Sequence, residues 1–432
     1  MAAILKKTVP FLTLAFCIIC PSMFALPEDL QESKQEPKQA QVSKKELEEN
    51  IYSLVQGNNI FAFELYALLK GMPGNLCFSP YSITSALALP YAGAQQATQS
   101  EIRSVLHYLP KIELILGVYD LLDKLYMTPW YLGSNESRLF SANSLWLQRD
   151  IKISPPFYDK LPKSYQNIIK KVDFTRNPDG AKLNINQWIR EKTEGRIPKE
   201  LQRGDIDPNT HMLVVSALFI KGVWDIPFDP AISKRTSFFI DELTTGSASM
   251  MSNSGKFRIY QAADFTLLEL PYRPSFRGLP KLSFILALPS ANFGLASLEK
   301  KLSYDQWLGW IANLREEVAI VSLPRFSVLQ SFDLTGFLKK MGMTIAMSDQ
   351  ADFSGIFESK NLSINRVIHD AYLSIDEKGS DAVSVTSVAN PLMDPFSQQQ
   401  QPLIVNADHP FLFFIVDTIN NTILYIGRFI KP

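Results

Sequence analysis

Apolar residues recur at helical spacing through the first half of the chain and form short continuous runs in the second half. The helical spacing begins at roughly 47–70, where Ile51, Leu54 and Leu65 fall on one face. Further helices are predicted at about 80–92, 99–107, 111–126, 155–165 and 178–194, with a strand-like run at 140–148. After residue 210, β-branched and aromatic runs bounded by Pro, Gly and Asp predict strands at 212–224, 265–272, 281–289, 318–326 and 371–375, interrupted by a helix at about 331–341. This order predicts an α+β class, and the absence of a linker between the halves favours one domain.

One late segment breaks this pattern. From Gly379 to Asp408 the chain is small and polar, then Pro-rich, then Gln-rich, without strong apolar periodicity. It lies between a strand that ends near Ile375 and a buried run at 410–417. A structureless connection of about 30 residues inside a compact domain is unusual, and such connections are either functional or disordered. The pattern alone leaves both interpretations open.

The N-terminus has the pattern of an export signal. Lys6 and Lys7 precede a mostly apolar run from Val9 to Ala25, which predicts a signal peptide over residues 1–25. The run is too short and too interrupted by proline for a membrane span. Residues 26–50 are rich in Glu, Lys and Gln, and we expect a flexible tether before a domain at 51–432. The mature protein is therefore expected to be exported, either extracellular or periplasmic, with no membrane association.

The charge balance and the motifs of the sequence argue against several classes of function. Lys and Arg number 43 against 43 Asp and Glu, so there is no net basic charge of the kind that nucleic-acid binding favours. The chain has no nucleophile elbow, P-loop, dinucleotide-binding fingerprint or zinc-protease motif. Its four histidines have no second His or Cys at metal-ligand spacing. We therefore expect neither an enzyme nor a metal or organic cofactor.

A series of motifs resembles the serpin family, in the family's order. They are NLCFSPYSITSALALPYAGAQQAT (75–98), KVDF (171–174), INQWIREKTEGRIP (185–198), VVSALFIKGVWDIPFDP (214–230), LLELPY (267–272), LPRF (323–326), ADFSGI (351–356), VIHDAYLSIDEKGSDA (367–382), ADHPFLFFI (407–415) and ILYIGRFIKP (423–432). The resemblance covers roughly residues 51–432. It implies the serpin α+β fold, in which several helices pack on large mixed or antiparallel sheets and a reactive-centre loop is exposed.

The resemblance also implies roles for particular residues. A polar cluster that governs opening of the main sheet, the shutter, is matched by Ser79, Ser82, Asn186 and His369. The breach, where loop insertion begins at the top of that sheet, is matched by Trp224. The hinge that opens the reactive loop is matched by Glu377, Lys378, Gly379, Ser380, Asp381, Ala382, Val383 and Ser384.

The hinge composition permits insertion as a strand. Side chains of a strand alternate between faces, so Ser380, Ala382, Ser384, Thr386 and Val388 would share the inward face, and none of them is charged. No proline, which cannot donate to a central ladder, occurs between Gly379 and Asn390. These features favour an inhibitory serpin; the alternative is a non-inhibitory serpin that acts as a carrier, chaperone or storage protein.

The family's spacing predicts the attacked bond. The resemblance places the attacked residue about sixteen positions beyond Glu377, a distance set by the length of the inserted strand, and this predicts cleavage between Met393 and Asp394. Leu392 and then Phe396 are the alternatives, because Asp394 is followed by a proline. An apolar residue there favours chymotrypsin-like or elastase-like serine proteases as partners, held in a covalent acyl-enzyme complex by a monomeric inhibitor.

Overall fold

Two large β-sheets surrounded by helices make up the part of the chain that the computed structural model describes, residues 44–127, 138–197, 201, 206–274, 280–358, 362–381 and 401–432. The helices are α1 (Lys44–Leu69), α2 (Pro80–Gly93), α3 (Gln96–Leu106), α4 (Ile112–Met127), α5 (Pro155–Tyr158), α6 (Lys163–Ile168), α7 (Pro178–Lys192), α8 (Leu295–Glu299), α9 (Tyr304–Ala312) and α10 (Thr335–Lys340). The strands are β1 (Leu76–Phe78), β2 (Arg138–Ser141), β3 (Ser144–Gln148), β4 (Ile169–Val172), β5 (Met212–Val223), β6 (Lys234–Phe239), β7 (Thr245–Gln261), β8 (Phe265–Pro271), β9 (Leu282–Pro289), β10 (Arg315–Pro324), β11 (Phe326–Asp333), β12 (Ile364–Ile375), β13 (Gly379–Ser380), β14 (Leu403–Asn406), β15 (Phe411–Asp417) and β16 (Thr422–Phe429). This α+β content confirms the fold class expected from the sequence.

The larger sheet follows the order β1-β16-β15-β9-β8-β7-β10-β14, with β6 also paired to β7. Three of its strands, β9, β15 and β16, are apolar runs that are buried along their whole length. Strand β14 pairs in parallel with β10. Residues 403–406 of the segment expected to lack structure are therefore ordered.

The second sheet contains the elements that concern function. Its order is β11-β12-β5-β3-β4, with β2 and β13 also paired to β5. Strands β5 and β12 run parallel, from Ile364 opposite Met212 to Tyr372 opposite Phe219. Antiparallel pairing joins β12 to β11.

Helices cover both faces of this second sheet. On one face, Ile185 and Ile189 of α7 pack in a cluster with Leu213 and Val215 of β5. On the other face, α2 contacts both β5 and β16, one strand from each sheet, and is almost wholly buried. Ser79 caps α2 by accepting a hydrogen bond from the Ser82 amide, and Pro80 occupies the first turn, where its missing N–H costs nothing.

Some element boundaries differ from expectation. Helix α1 begins at Lys44, so the end of the expected tether is helical. The helix expected at 155–165 is instead α5 and α6, because Pro162 adopts an extended ψ of 146° and begins a new helix. The expected signal peptide and most of the tether lie outside the described residues. Among the helices that the structure describes, none has the length and apolarity that a bilayer span requires.

Candidate functional site

The segment expected to act as the hinge enters the second sheet. Pairing between β12 and β5 ends at Tyr372 and Phe219. Beyond that point Gly379 and Ser380, as β13, pair antiparallel with Val223 and Gly222 of β5. Because a short turn links β12 to β13, the short strand lies on the side of β5 that β12 occupies lower down. The chain that leads into the expected reactive loop has thus begun a new strand at the mouth of the sheet.

Trp224 fixes the turn between β12 and β13. Its backbone N–H donates to the Lys378 carbonyl at 2.9 Å, and its indole Nε1–H donates to the Asp376 carbonyl at 2.8 Å. Within the turn, the Asp376 and Gly379 backbones bond to each other in both directions, at 2.9 and 3.2 Å. The residue expected at the breach therefore makes two hydrogen bonds to backbone carbonyls of this turn, one from its backbone and one from its side chain, and also packs in the core.

Glycine at position 379 is required by the docked strand. Its φ of +147° is a conformation that side chains rarely adopt, and a Cβ there would lie 1.8 Å from the carbonyl oxygen of Gly222. Only a residue without a side chain lets the backbone approach β5 this closely.

Glu377 is anchored by charge and hydrogen bonds. Its carboxylate, only 4% exposed, pairs with the Arg325 guanidinium and accepts a hydrogen bond from Ser233 Oγ at 2.9 Å. Burial opposes the charged form, but these bonds outweigh it and hold the pKa of Glu377 below its ordinary value. The turn also borders a cavity of about 550 Å³, lined in part by Lys378 and Ser374, so one side of it has room to rearrange.

Ser380 faces inward. The residue is fully buried, and its hydroxyl lies 2.5 Å from the hydroxyl of Tyr272. The Tyr272 ring stacks on the Trp224 indole, with centroids 4.6 Å apart and planes 9° from parallel. This inward face accepts a small polar side chain and leaves no room for a long charged one. The remaining expected hinge residues Ala382, Val383 and Ser384, and the candidate cleavage residues Leu392, Met393, Asp394 and Phe396, lie outside the described residues.

A second polar cluster lies lower in the sheet, where β12 meets β5. The Ser79 amide donates to His369 Nε2 at 2.9 Å, which makes Nε2 the acceptor and requires the ring proton on Nδ1. Nδ1 lies 3.0 Å from Ser216 Oγ, Ser216 Oγ lies 2.8 Å from Ser82 Oγ, and Ser82 Oγ donates to Asn143 Oδ1 at 2.9 Å. The chain of donors therefore runs in one direction, from His369 to Asn143.

This cluster cannot work as a Ser–His catalytic pair. His369 is fully buried, and burial lowers its pKa to about 3, although its bond to Ser216 acts in the opposite direction. Nε2 is the unprotonated nitrogen of the ring, and its lone pair already accepts a hydrogen bond from the Ser79 amide. The ring is therefore not available to accept a proton from a serine. Ser82 and Ser216 are fully buried as well, out of reach of a substrate. The arrangement suits a latch that joins β12, β5 and α2.

Asn186 is not part of this cluster. It lies on α7, where its side chain bonds the backbone N–H and C=O of Leu201 at 2.9 and 3.2 Å. Ser216 occupies the place for which Asn186 was expected. Strand alternation explains the separation, because α7 packs on the face of β5 that bears Val215 while Ser216 points to the other face.

Sequence reasoning also missed several partners. Ser216 and Asn143 complete the latch, Tyr272 receives Ser380, and Arg325 pairs with Glu377. Ser216 had a sequence signal, since it is the single hydroxyl in the apolar run of β5. Within the described ranges, no group of three His, Cys, Asp or Glu residues is placed to hold a metal ion.

Comparisons with known proteins agree on the family. The family model described as "Serpin (serine protease inhibitor)" matches residues 56–432. Human Serpin B3 is 32% identical over 88% of this chain and 100% of its own length.

Solved structures agree on the fold. Uncleaved ovalbumin superposes with a TM-score of 0.76 at 27% identity, over 88% of this chain and 100% of that one. Human thyroxine-binding globulin in complex with thyroxine superposes with a TM-score of 0.77 at 28% identity, over 89% of this chain and 99% of that one. Some proteins of this kind inhibit proteases, whereas ovalbumin and thyroxine-binding globulin are non-inhibitory.

Proposed function

The chain belongs to the serpin family, and we propose that it is a suicide inhibitor of serine proteases with chymotrypsin-like or elastase-like specificity. The observation that supports this most directly is the pairing of Gly379 and Ser380 with β5, because that strand can be extended into the sheet without changing its register.

Inhibition would begin with ordinary protease chemistry. The protease serine oxygen attacks the carbonyl carbon of Met393 while the protease histidine takes the serine proton. The peptide bond to Asp394 then breaks, and the histidine delivers the proton to the departing amine. The product is an ester between the inhibitor and the protease, which water would normally hydrolyse.

Loop insertion would compete with that hydrolysis. Once cleaved, the segment that follows β13 is free to continue along β5, and it carries the ester-linked protease with it. Insertion of a serpin loop into its own sheet is an established example of such a transition. The sheet must open between β5 and β12, which breaks the contact between Ser216 and His369. This is the step that the latch would control.

The inward face of the hinge favours inhibition over the carrier, chaperone or storage alternative. Ser380 is buried against Tyr272, and the inward-facing residues expected to follow it are small or β-branched and uncharged. A hinge that stays outside the sheet would not require small or β-branched, uncharged residues on its inward face.

The test is incubation of the mature protein with chymotrypsin and elastase, followed by denaturing electrophoresis. We expect a band that resists SDS, at the summed mass of inhibitor and protease less the C-terminal fragment that cleavage releases. Cleavage without such a band would support the non-inhibitory alternative. Thermal unfolding before and after loop cleavage gives an independent readout, since insertion adds a central strand and should raise the melting temperature, whereas simple nicking leaves it unchanged or lowers it.

A further inference from the structure

Strand β13 ends at Ser380, and Asp381 follows it directly. The φ of Asp381 is +46°, a left-handed conformation that is uncommon for a residue other than glycine and is not that of a strand. The Asp381 carboxylate accepts a hydrogen bond from Arg196 Nε at 2.7 Å. An ion pair therefore lies at the point where strand β13 stops.

Arg196 belongs to a cluster of two cations and two carboxylates. Its Nη1 donates to the backbone carbonyl of Glu194 at 3.0 Å and to the Glu194 carboxylate at 3.1 Å. Lys221 Nζ lies 2.5 Å from the same carboxylate oxygen. The Lys221 ammonium also lies 4.8 Å from the centre of the Phe140 ring. All four charged groups are at least half shielded from solvent, with exposed fractions between 17% and 41%.

The register of β13 on β5 predicts where Asp381 would lie if β13 were extended by one residue. Gly379 lies opposite Val223, and Ser380 lies opposite Gly222. One further step of the same antiparallel register places Asp381 opposite Lys221. Residues opposed in an antiparallel pair point to the same face with Cβ atoms about 5 Å apart, so the Asp381 carboxylate would come within reach of the Lys221 ammonium.

We propose that this cluster of Arg196, Glu194, Lys221 and Asp381 is an ionic relay that controls the first step of loop insertion. Arg196 holds Asp381 outside the sheet in the uncleaved protein. Lys221 receives Asp381 when the strand extends by one residue, while Arg196 keeps Glu194 as its partner. Every charge has an opposite partner before and after the transfer, so the step leaves none of these partly shielded charges unpaired.

The relay rests on the proposed inhibitory function and assigns positioning residues to it. In this role Arg196 and Lys221 act through Asp381 and take no part in the chemistry at the cleaved bond. Their two effects must have opposite signs, because one cation stabilises the state before the step and the other stabilises the state after it. A merely structural role for both cations would give effects of the same sign.

The experiment compares Arg196→Gln and Lys221→Met, using a protease with which the wild type gives both SDS-stable complex and cleaved inhibitor. The ratio of complex to cleaved product should rise about two- to fivefold in R196Q and fall by a similar factor in K221M, as expected for partly exposed ion pairs. In an Asp381→Asn background both effects should disappear. Lys256→Met is the matched control, since Lys256 forms a similar pair with Glu316 in the other sheet, at 3.0 Å; it should leave the ratio unchanged.

Three outcomes would overturn the relay: changes of the same sign in R196Q and K221M, no change in either, or changes that persist with Asn at position 381. If the wild type forms no complex with any protease, the proposed inhibition fails instead. In that case the relay is tested by the rate at which loop-cleaved protein gains thermal stability. This rate should be higher in R196Q and lower in K221M than in the wild type, and equal rates would overturn the relay.

Discussion

The hydroxyl of Ser380 lies 2.5 Å from the hydroxyl of Tyr272, and both residues are buried at the mouth of the second sheet. This contact fixes which face of the hinge points inward. It also places a polar hinge residue on the ring that stacks against Trp224. We therefore expect the identity of the side chain at 380 to decide whether the loop can start to insert.

Replacing Ser380 with Arg should convert the protein from an inhibitor into a substrate. The guanidinium would have to leave water for the buried site that now holds the Ser380 hydroxyl beside the Tyr272 hydroxyl, which costs on the order of several kcal/mol. Slower insertion gives the acyl-enzyme time to hydrolyse. The measurement is the molar ratio of inhibitor consumed per protease inactivated, which we expect to rise at least about tenfold.

Ser104→Arg provides the control for this substitution. Ser104 is exposed on helix α3 and belongs to neither sheet, so its replacement should leave the ratio unaltered. An unchanged ratio in the Ser380 variant would count against insertion as the mechanism.

Gly379→Ala should prevent the docking of β13. The new methyl would meet the Gly222 carbonyl at 1.8 Å, and the backbone could not keep its φ of +147° without strain. We expect a fall of about fivefold or more in the fraction of protease trapped, as a strain of about 1 kcal/mol or more implies. Gly309→Ala, where a Cβ meets nothing within 4 Å, should trap protease like the wild type; equal trapping by both variants would mean that the docked strand is not on the inhibitory route.

Acidification should weaken the uncleaved fold through His369. Burial lowers its pKa to about 3, below the ordinary 6.5, so below pH 6.5 the unfolded chain binds a proton that the native state does not. The contribution of His369 to the free energy of unfolding is therefore complete above pH 6.5 and is lost progressively as the pH drops toward 3. Between pH 7 and pH 5 the loss should be about 2 kcal/mol in the free energy of unfolding.

The matched variant for this measurement is His369→Gln, which keeps hydrogen-bonding capacity without titrating. Asp417 works in the opposite direction, because burial raises its pKa to about 6 and its contribution to stability grows as the pH falls through that value. The informative quantity is therefore the difference between wild type and variant in denaturant unfolding at each pH. A difference that does not change with pH would contradict the assignment of a neutral His369.

Cleavage of the reactive loop should occur between Met393 and Asp394. Mass spectrometry of the C-terminal fragment released from a trapped complex identifies the bond, and we expect the fragment to begin at Asp394. A fragment that begins at Met393 would move the bond to the Leu392 alternative, and one that begins at Ser397 would indicate Phe396. A start after Gln398 would show that the family's spacing from Glu377 does not apply to this chain.

Much of the architecture could be predicted from the sequence because its determinants are local. Apolar periodicity predicted the helical first half and the strand-rich second half, and motif order identified the serpin family. The small, uncharged, proline-free composition after Gly379 is likewise a property of adjacent residues. In the same way, the unusual segment from Gly379 to Asp408 could be singled out without any knowledge of its surroundings.

Only the tertiary structure decided which residues meet. Asn186 and Ser216 are both polar residues in amphipathic or apolar elements, but the sheet separates them, and only Ser216 faces His369. Asp381 meets Arg196 across 185 residues of chain. Periodicity predicts which face of an element a side chain lies on. The residue that it contacts there belongs to an element distant in sequence. Which residue that is depends on strand register and helix packing, which no local pattern encodes.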